Sequence, residues 1–172
     1  MSPEILFQTH LVFGYVVWLL CFGVYIWPRL KAMDHFEAQR AIATLHSFRF
    51  FGLVFILPGV VSPNLPASFA VFAAYWDFVT GLLAMLALLT VRIRPLFWAL
   101  VVAFNLVGFV DVILDYYHAV QVDLPAKAGE LGATYAIPII YVPVLMITHL
   151  VAFYLLVRPK AAQALAGDAA AS

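Results

Sequence analysis

Residues 67–91 read ASFAVFAAYWDFVTGLLAMLALLTV, twenty-five residues with one charge, Asp77, near the middle. A helix needs about 20 mostly apolar residues to cross a hydrocarbon core, and this stretch is long enough to do so. Four further stretches reach the same length. Residues 5–27 end at Pro28, Arg29 and Lys31, and residues 96–118 follow the short turn of Arg92, Arg94 and Pro95. Residues 135–157 carry Pro138 and Pro143 and end at Arg158, Pro159 and Lys160. The remaining stretch, 34–61, opens with an amphipathic segment, 34–45, in which Asp34 and Glu37 form a capping-box pattern, and is kinked or ended by Pro58 and Gly59. The breaker-rich turn 62–66 and the polar stretch 121–132 are the clearest loops. The sequence therefore predicts an all-α integral membrane protein: one bundle of five transmembrane helices over 1–160, the second extended by its amphipathic segment, then a flexible C-terminal tail over 161–172.

Composition agrees with this reading. Of 172 residues, 66% are hydrophobic and only 10% charged, with a mean hydropathy of +1.02, whereas soluble domains carry about 25% charged residues. Nine basic and nine acidic side chains balance, and no basic run is interleaved with aromatics, so nucleic acid is excluded as a partner. Cys21 is the only cysteine, which excludes an internal disulfide, a CxxC redox pair and a thiolate metal cage. The first four residues lack a basic group and the apolar run that follows is too long for a signal-peptide core, so the first span is expected to be retained. Arg29, Lys31, Arg40, Arg92, Arg94, Arg158 and Lys160 fall on one side of the predicted spans and Lys127 on the other. The positive-inside rule then sets the N-terminus outside and the C-terminus in the cytoplasm, in a multi-pass protein of the bacterial cytoplasmic membrane. The lipid bilayer is the expected partner, with room for a homo-oligomer or a partner membrane subunit.

Arg49, Asp77, Asp111 and His149 are ionisable side chains inside these apolar stretches. At a bilayer centre each costs at least ~2.5 to 3.5 kcal/mol, so such groups face a bundle interior, pair, or line a path. Counting 1.5 Å per residue from the cytoplasmic side puts Arg49 at ~9 Å, His149 at ~12 Å and Asp77 at ~14 Å, one inner layer, with His46 shallower at ~5 Å. Counting from outside puts His10 and Asp111 both ~7 Å in, a separate outer layer. Asp111, Asp115 and His118 lie at i, i+4 and i+7, one stripe of a helix. With His10 from the first span they form a candidate divalent-metal site; the other reading lets Asp115 and His118 reach water and headgroups.

Three functions compete for these residues. The first is transport or a proton or ion relay through His46, His149, Asp77 and Asp111, with Asp115 and His118 at the mouth and the permanently charged Arg49 holding an anion or biasing Asp77. It ranks first because the polar groups span most of the bilayer depth. The second is a membrane redox protein with b-type haem held between His46 and His149 as axial ligands and Arg49 beside a propionate. The third is a structural or assembly subunit in which an Arg49–Asp77 pair only fixes packing. No G-x-S-x-G, H-E-x-x-H, phosphate-loop or EF-hand pattern is present, and the chain leans away from enzymes.

Overall fold

The computed structural model describes residues 1–158, so the tail predicted over 161–172 lies outside the described residues. Helix α1 (Pro3–Cys21) begins with Pro3 in its first turn and with Ser2 accepting the Ile5 N–H, both favoured at a helix start. A π turn, Phe22–Ile26, joins it to α2 (Trp27–Ala32). Asp34 caps α3 (His35–Ser47) by accepting the Glu37 N–H at 2.9 Å. A 3-10 helix, Phe48–Ile56, follows directly. Helices α4 (Ala67–Leu89) and α5 (Arg94–Gln121) come next, then a 3-10 helix over Ala128–Tyr135, a π turn over Ile137–Tyr141, and α6 (Val142–Val157). Among the described residues the only strand-like feature is one isolated bridge, Pro58 to Val61.

Four helical runs are long and apolar enough to cross a membrane: Pro3–Ala32, Ala67–Leu89, Arg94–Gln121 and Ile137–Val157. The first passes through Pro28 rather than stopping there. Proline lacks an N–H and its ring crowds the carbonyl four residues back; the wider π turn just before it, closed by Trp27 N–H to Phe22 O, makes the room. The last run repeats the device ahead of Pro143, closed by Val142 N–H to Ile137 O.

The stretch 34–61 is not one continuous α-helix. In α3 the buried residues are Ala38, Gln39, Ile42, Ala43 and His46, the stripe of a 3.6-residue repeat. From Phe48 onward they are Arg49, Gly52 and Phe55, spaced by three. A 3-10 helix has three residues per turn and stacks those positions in one column, whereas an α-helix would rotate them apart.

Helix α4 is central and packs against α3, α5 and the 3-10 helix. Its buried stripe is built from small residues, Ala70, Ala73, Ala74, Gly81, Ala84 and Ala87, which let neighbouring backbones approach closely. Two apolar cores result. One, at the end rich in basic residues, includes Leu30, Ile42, Phe97, Phe104 and Leu155; the other, at the far end, includes Phe7, Phe55, Phe69, Leu124 and Ile137. At the far end two loops are tied together by Ser62 N–H to Glu130 O (2.9 Å) and Ala133 N–H to Val60 O (3.3 Å). Gly132 has φ +53°, and a Cβ there would lie 2.5 Å from Val60 O, so only glycine permits this approach.

Helix α1 is peripheral, with Phe7 its only buried side chain. It is held where Pro143 deprives the Ile139 carbonyl of its helical donor. Gly14 packs against that carbonyl with no space for a Cβ, and Trp18 Nε1 donates to the adjacent Ile140 O at 2.7 Å.

Candidate functional site

Between the two apolar cores lies a polar layer centred on Arg49, which is 0% exposed. The 3-10 column aims its side chain across α4 towards α5 and α6. Arg49 Nε and Nη2 both reach Asp77 Oδ1 at 2.6 Å, and Nη2 also donates to Asp111 Oδ2. Nη1 donates to Gly108 O and to His149 Nε2, each at 3.2 Å. One guanidinium thus gathers α4, α5 and α6 around the 3-10 helix.

Glycines make this convergence possible. A Cβ on Gly81 would lie 2.7 Å from the Phe50 backbone nitrogen, and one on Gly108 would lie 2.6 Å from Thr80 Cγ2 and 2.7 Å from His149 Nε2. Gly52 is packed directly against the Asp77 carboxylate. No larger residue fits at these three points without moving the Arg49 segment itself or the groups that Arg49 holds.

The hydrogen bonds assign the histidine tautomers. A guanidinium only donates, so His149 Nε2 is a bare acceptor and Nδ1 carries the proton, donated to Asn105 Oδ1 at 3.0 Å. Asn105 Nδ2 then donates to Val101 O at 2.9 Å. The Thr148 hydroxyl donates to Val144 O at 2.7 Å and therefore accepts from His46 Nε2 at 3.0 Å, leaving His46 Nδ1 as a buried acceptor without a partner. Both imidazoles are neutral in this arrangement. Near the same layer, Thr80 Oγ1, Asp111 Oδ1 and Asp115 Oδ1 are also buried without a hydrogen-bond partner among the described residues.

Arg49, Asp77, His149 and Asp111 are thus joined by hydrogen bonds, and His46 adjoins them through its ring, 4.0 Å from that of His149. The separate outer layer expected for Asp111 is corrected. Helix α5 runs on to Gln121, so Asp111 lies about 15 Å from that end rather than ~7 Å, and the Arg49 side chain spans the remaining offset. Asp115 lies one turn further along α5 and makes no hydrogen bond or ion pair with the described residues.

The haem site between His46 and His149 does not fit. The two rings sit with centroids 4.0 Å apart and tilted by 40°, and each Nε2 is already engaged, by Thr148 and by Arg49. Axial ligation needs both imidazoles to point at one iron from opposite faces of a macrocycle, and no gap separates these rings.

The divalent-metal set is not assembled either. His10 Nδ1 pairs with Tyr135 OH at 2.9 Å, His118 stacks on Phe72 at 4.4 Å, and Asp111 is turned to Arg49. Among the described residues no three His, Cys, Asp or Glu side chains are placed to hold a metal ion. The stripe fails because Asp111 and His118 turn to different neighbours on other elements, Arg49 and Phe72, and leave Asp115 alone.

Asn105, Thr80, Gly52 and Gly81 escaped the sequence reading, which started from ionisable groups; Gly108 was placed on the Asp111 stripe, and Thr148, expected beside His149, pairs with His46. The spacing of Asn105, Gly108 and Asp111 by three residues was the available signal.

These features describe an all-helical protein with four helices long and apolar enough to cross a membrane, organised around a buried arginine. Residues 6–157 match the family described as a domain of unknown function, DUF8737, and the chain belongs to that family. No curated protein and no solved structure matches the chain.

Proposed function

We propose that this protein is a multi-pass protein of the bacterial cytoplasmic membrane that relays protons or ions through the Arg49 network. In this reading the chain crosses five times, with α3 and the 3-10 helix together forming the second crossing, and the N-terminus lies outside. The α3 segment rises about 19 Å and the 3-10 helix about 18 Å, more than a ~30 Å hydrocarbon core requires.

The observation that carries the relay is the surplus of carboxylates. A structural pin needs one carboxylate per guanidinium, yet Asp77 and Asp111 both contact Arg49 and Asp115 stands one turn away without a partner. Excess negative charge at this depth is expensive unless a cation or proton joins it. Arg49 keeps its protons at all working pH values and acts as the fixed positive centre. Protons then pass among Asp115, Asp111 and Asp77, with the neutral His149 and His46 continuing the polar layer towards α3. The apolar core around Phe97 and Phe104 closes the basic end in this conformation.

Purified protein in liposomes containing a pH-sensitive dye tests the relay. The wild-type chain should dissipate an imposed pH gradient, and Asp111→Asn and Asp115→Asn should each slow the flux at least tenfold. Unchanged flux in both variants refutes the relay and leaves the structural pin.

A further inference from the structure

A cavity of about 130 Å³ lies on the far side of the Arg49 network, walled chiefly by Phe7 and Leu11 of α1, Phe55 of the 3-10 helix, and Phe69 and Ala73 of α4. Asp77 and Asp115 are its only ionisable carboxylates. Exposed Gln8 and Val120 form its rim, between α1 and α5. We infer that this cavity binds a small apolar organic cation, an ammonium group on a compact hydrocarbon body. The inference deepens the relay proposal and rests on it in one respect, that the same carboxylates take up positive charge.

Size sets the body of the ligand. An apolar cavity of ~150 Å³ holds a benzene molecule, so a single ring or a chain of similar bulk fills this one. The walls offer four aromatic rings, Phe7, Phe55, Phe69 and Tyr116, and little oxygen, which suits a hydrocarbon and excludes the oxygen-rich cage that Ca²⁺ or Mg²⁺ requires.

Charge sets the head group. Asp77 is more than nine-tenths buried and takes both Arg49 contacts on Oδ1, so among the described residues its Oδ2 has no hydrogen bond. Asp115 contributes a buried Oδ1 without a partner. Two carboxylates contact one guanidinium and a third, Asp115, stands one turn away, while the neighbouring His149 and His46 are neutral. A neutral occupant, such as a lipid acyl chain, fills the space and leaves those oxygens unpaired; an ammonium also donates to them. Phe7, Phe55 and Phe69 line the cavity, and aromatic rings attract cations where water is excluded.

The test compares benzylamine with benzyl alcohol, equal in shape and different in charge, titrated calorimetrically into the full chain in lipid nanodiscs at neutral pH. Benzylammonium should bind at least tenfold more tightly than benzyl alcohol, and Asp115→Asn should erase that preference. Ala73→Leu should weaken both by filling the cavity; if this variant does not fold, the comparison on the wild-type chain decides alone. Equal affinities for the two probes, or a preference untouched by Asp115→Asn, overturn the inference. Liposome flux without amine separates the two proposals. Selective amine binding with no proton flux refutes the relay alone, and flux with no charge preference refutes the cation site alone.

Discussion

Replacing Arg49 with methionine preserves much of the side chain's bulk and removes its charge. The change strands Asp77 Oδ1, Asp111 Oδ2, Gly108 O and His149 Nε2, which now accept from it. Breaking a buried ion pair by deleting one partner costs about 3–5 kcal/mol. The site has little freedom to relax, because Gly52, Gly81 and Gly108 already bring its walls into contact. Arg49→Met should therefore lose ~4 kcal/mol, roughly a thousandfold in the folding equilibrium. The triple variant Arg49→Met, Asp77→Leu, Asp111→Leu should recover most of that loss, since well-packed apolar replacements of a buried ionic cluster are often neutral or stabilising. Reversible denaturation in mixed micelles, followed by helical circular dichroism, measures all three proteins. Arg49→Met within 1 kcal/mol of the wild type, or a triple variant no more stable than the single one, refutes the reasoning. A triple variant that is stable but transports nothing separates function from packing.

Gly108→Ala should cost about 1–3 kcal/mol, because its Cβ collides with Thr80 and His149; the same denaturation series reads this, and a neutral result contradicts the packing described. Nitrogen NMR of labelled protein should show His149 protonated at Nδ1 and bare at Nε2, and a proton on Nε2 is incompatible with the Arg49 contact. Trp18→Phe should lose the bond to Ile140 O, about 0.5–1.5 kcal/mol, detectable as a lower denaturation midpoint. For orientation, Ser2→Cys in a Cys21→Ala background should react with an impermeant maleimide in intact cells, and Arg92→Cys only after permeabilisation; the opposite pattern inverts the topology.

Helices α4, α5 and the last run are legible in the sequence because long apolar stretches bounded by Arg, Pro and polar loops leave a chain in lipid no alternative to internal hydrogen bonding. Residues 67–91 and the observed Ala67–Leu89 differ by a frayed end. The 3-10 column is harder to see, since Arg49, Gly52 and Phe55 reveal a three-residue period only once their neighbours on α4 are known. Asp111 shows the limit of counting depth along a helix. An arginine side chain reaches across a full turn, so two residues in different layers of backbone meet at one guanidinium. Asn105 and Thr80 carry no charge, and their insertion cost is too small to single them out before their surroundings are seen.

Helix α1 contributes two walls of the cavity yet buries only Phe7. Where exposed apolar surface faces lipid it is not penalised, and no hydrophobic force then presses α1 onto the bundle. It is fastened instead at a few points, Trp18 to Ile140 O, Tyr15 to Tyr116 at 2.7 Å, His10 to Tyr135, and the Gly14 backbone contact. Such an element behaves as a latched door. Its swing is opposed by a handful of discrete hydrogen bonds together with the packing of Phe7, Leu11, Tyr15 and Trp18 on the two cores, and the Tyr15–Tyr116 bond is the one that closes the side of the cavity.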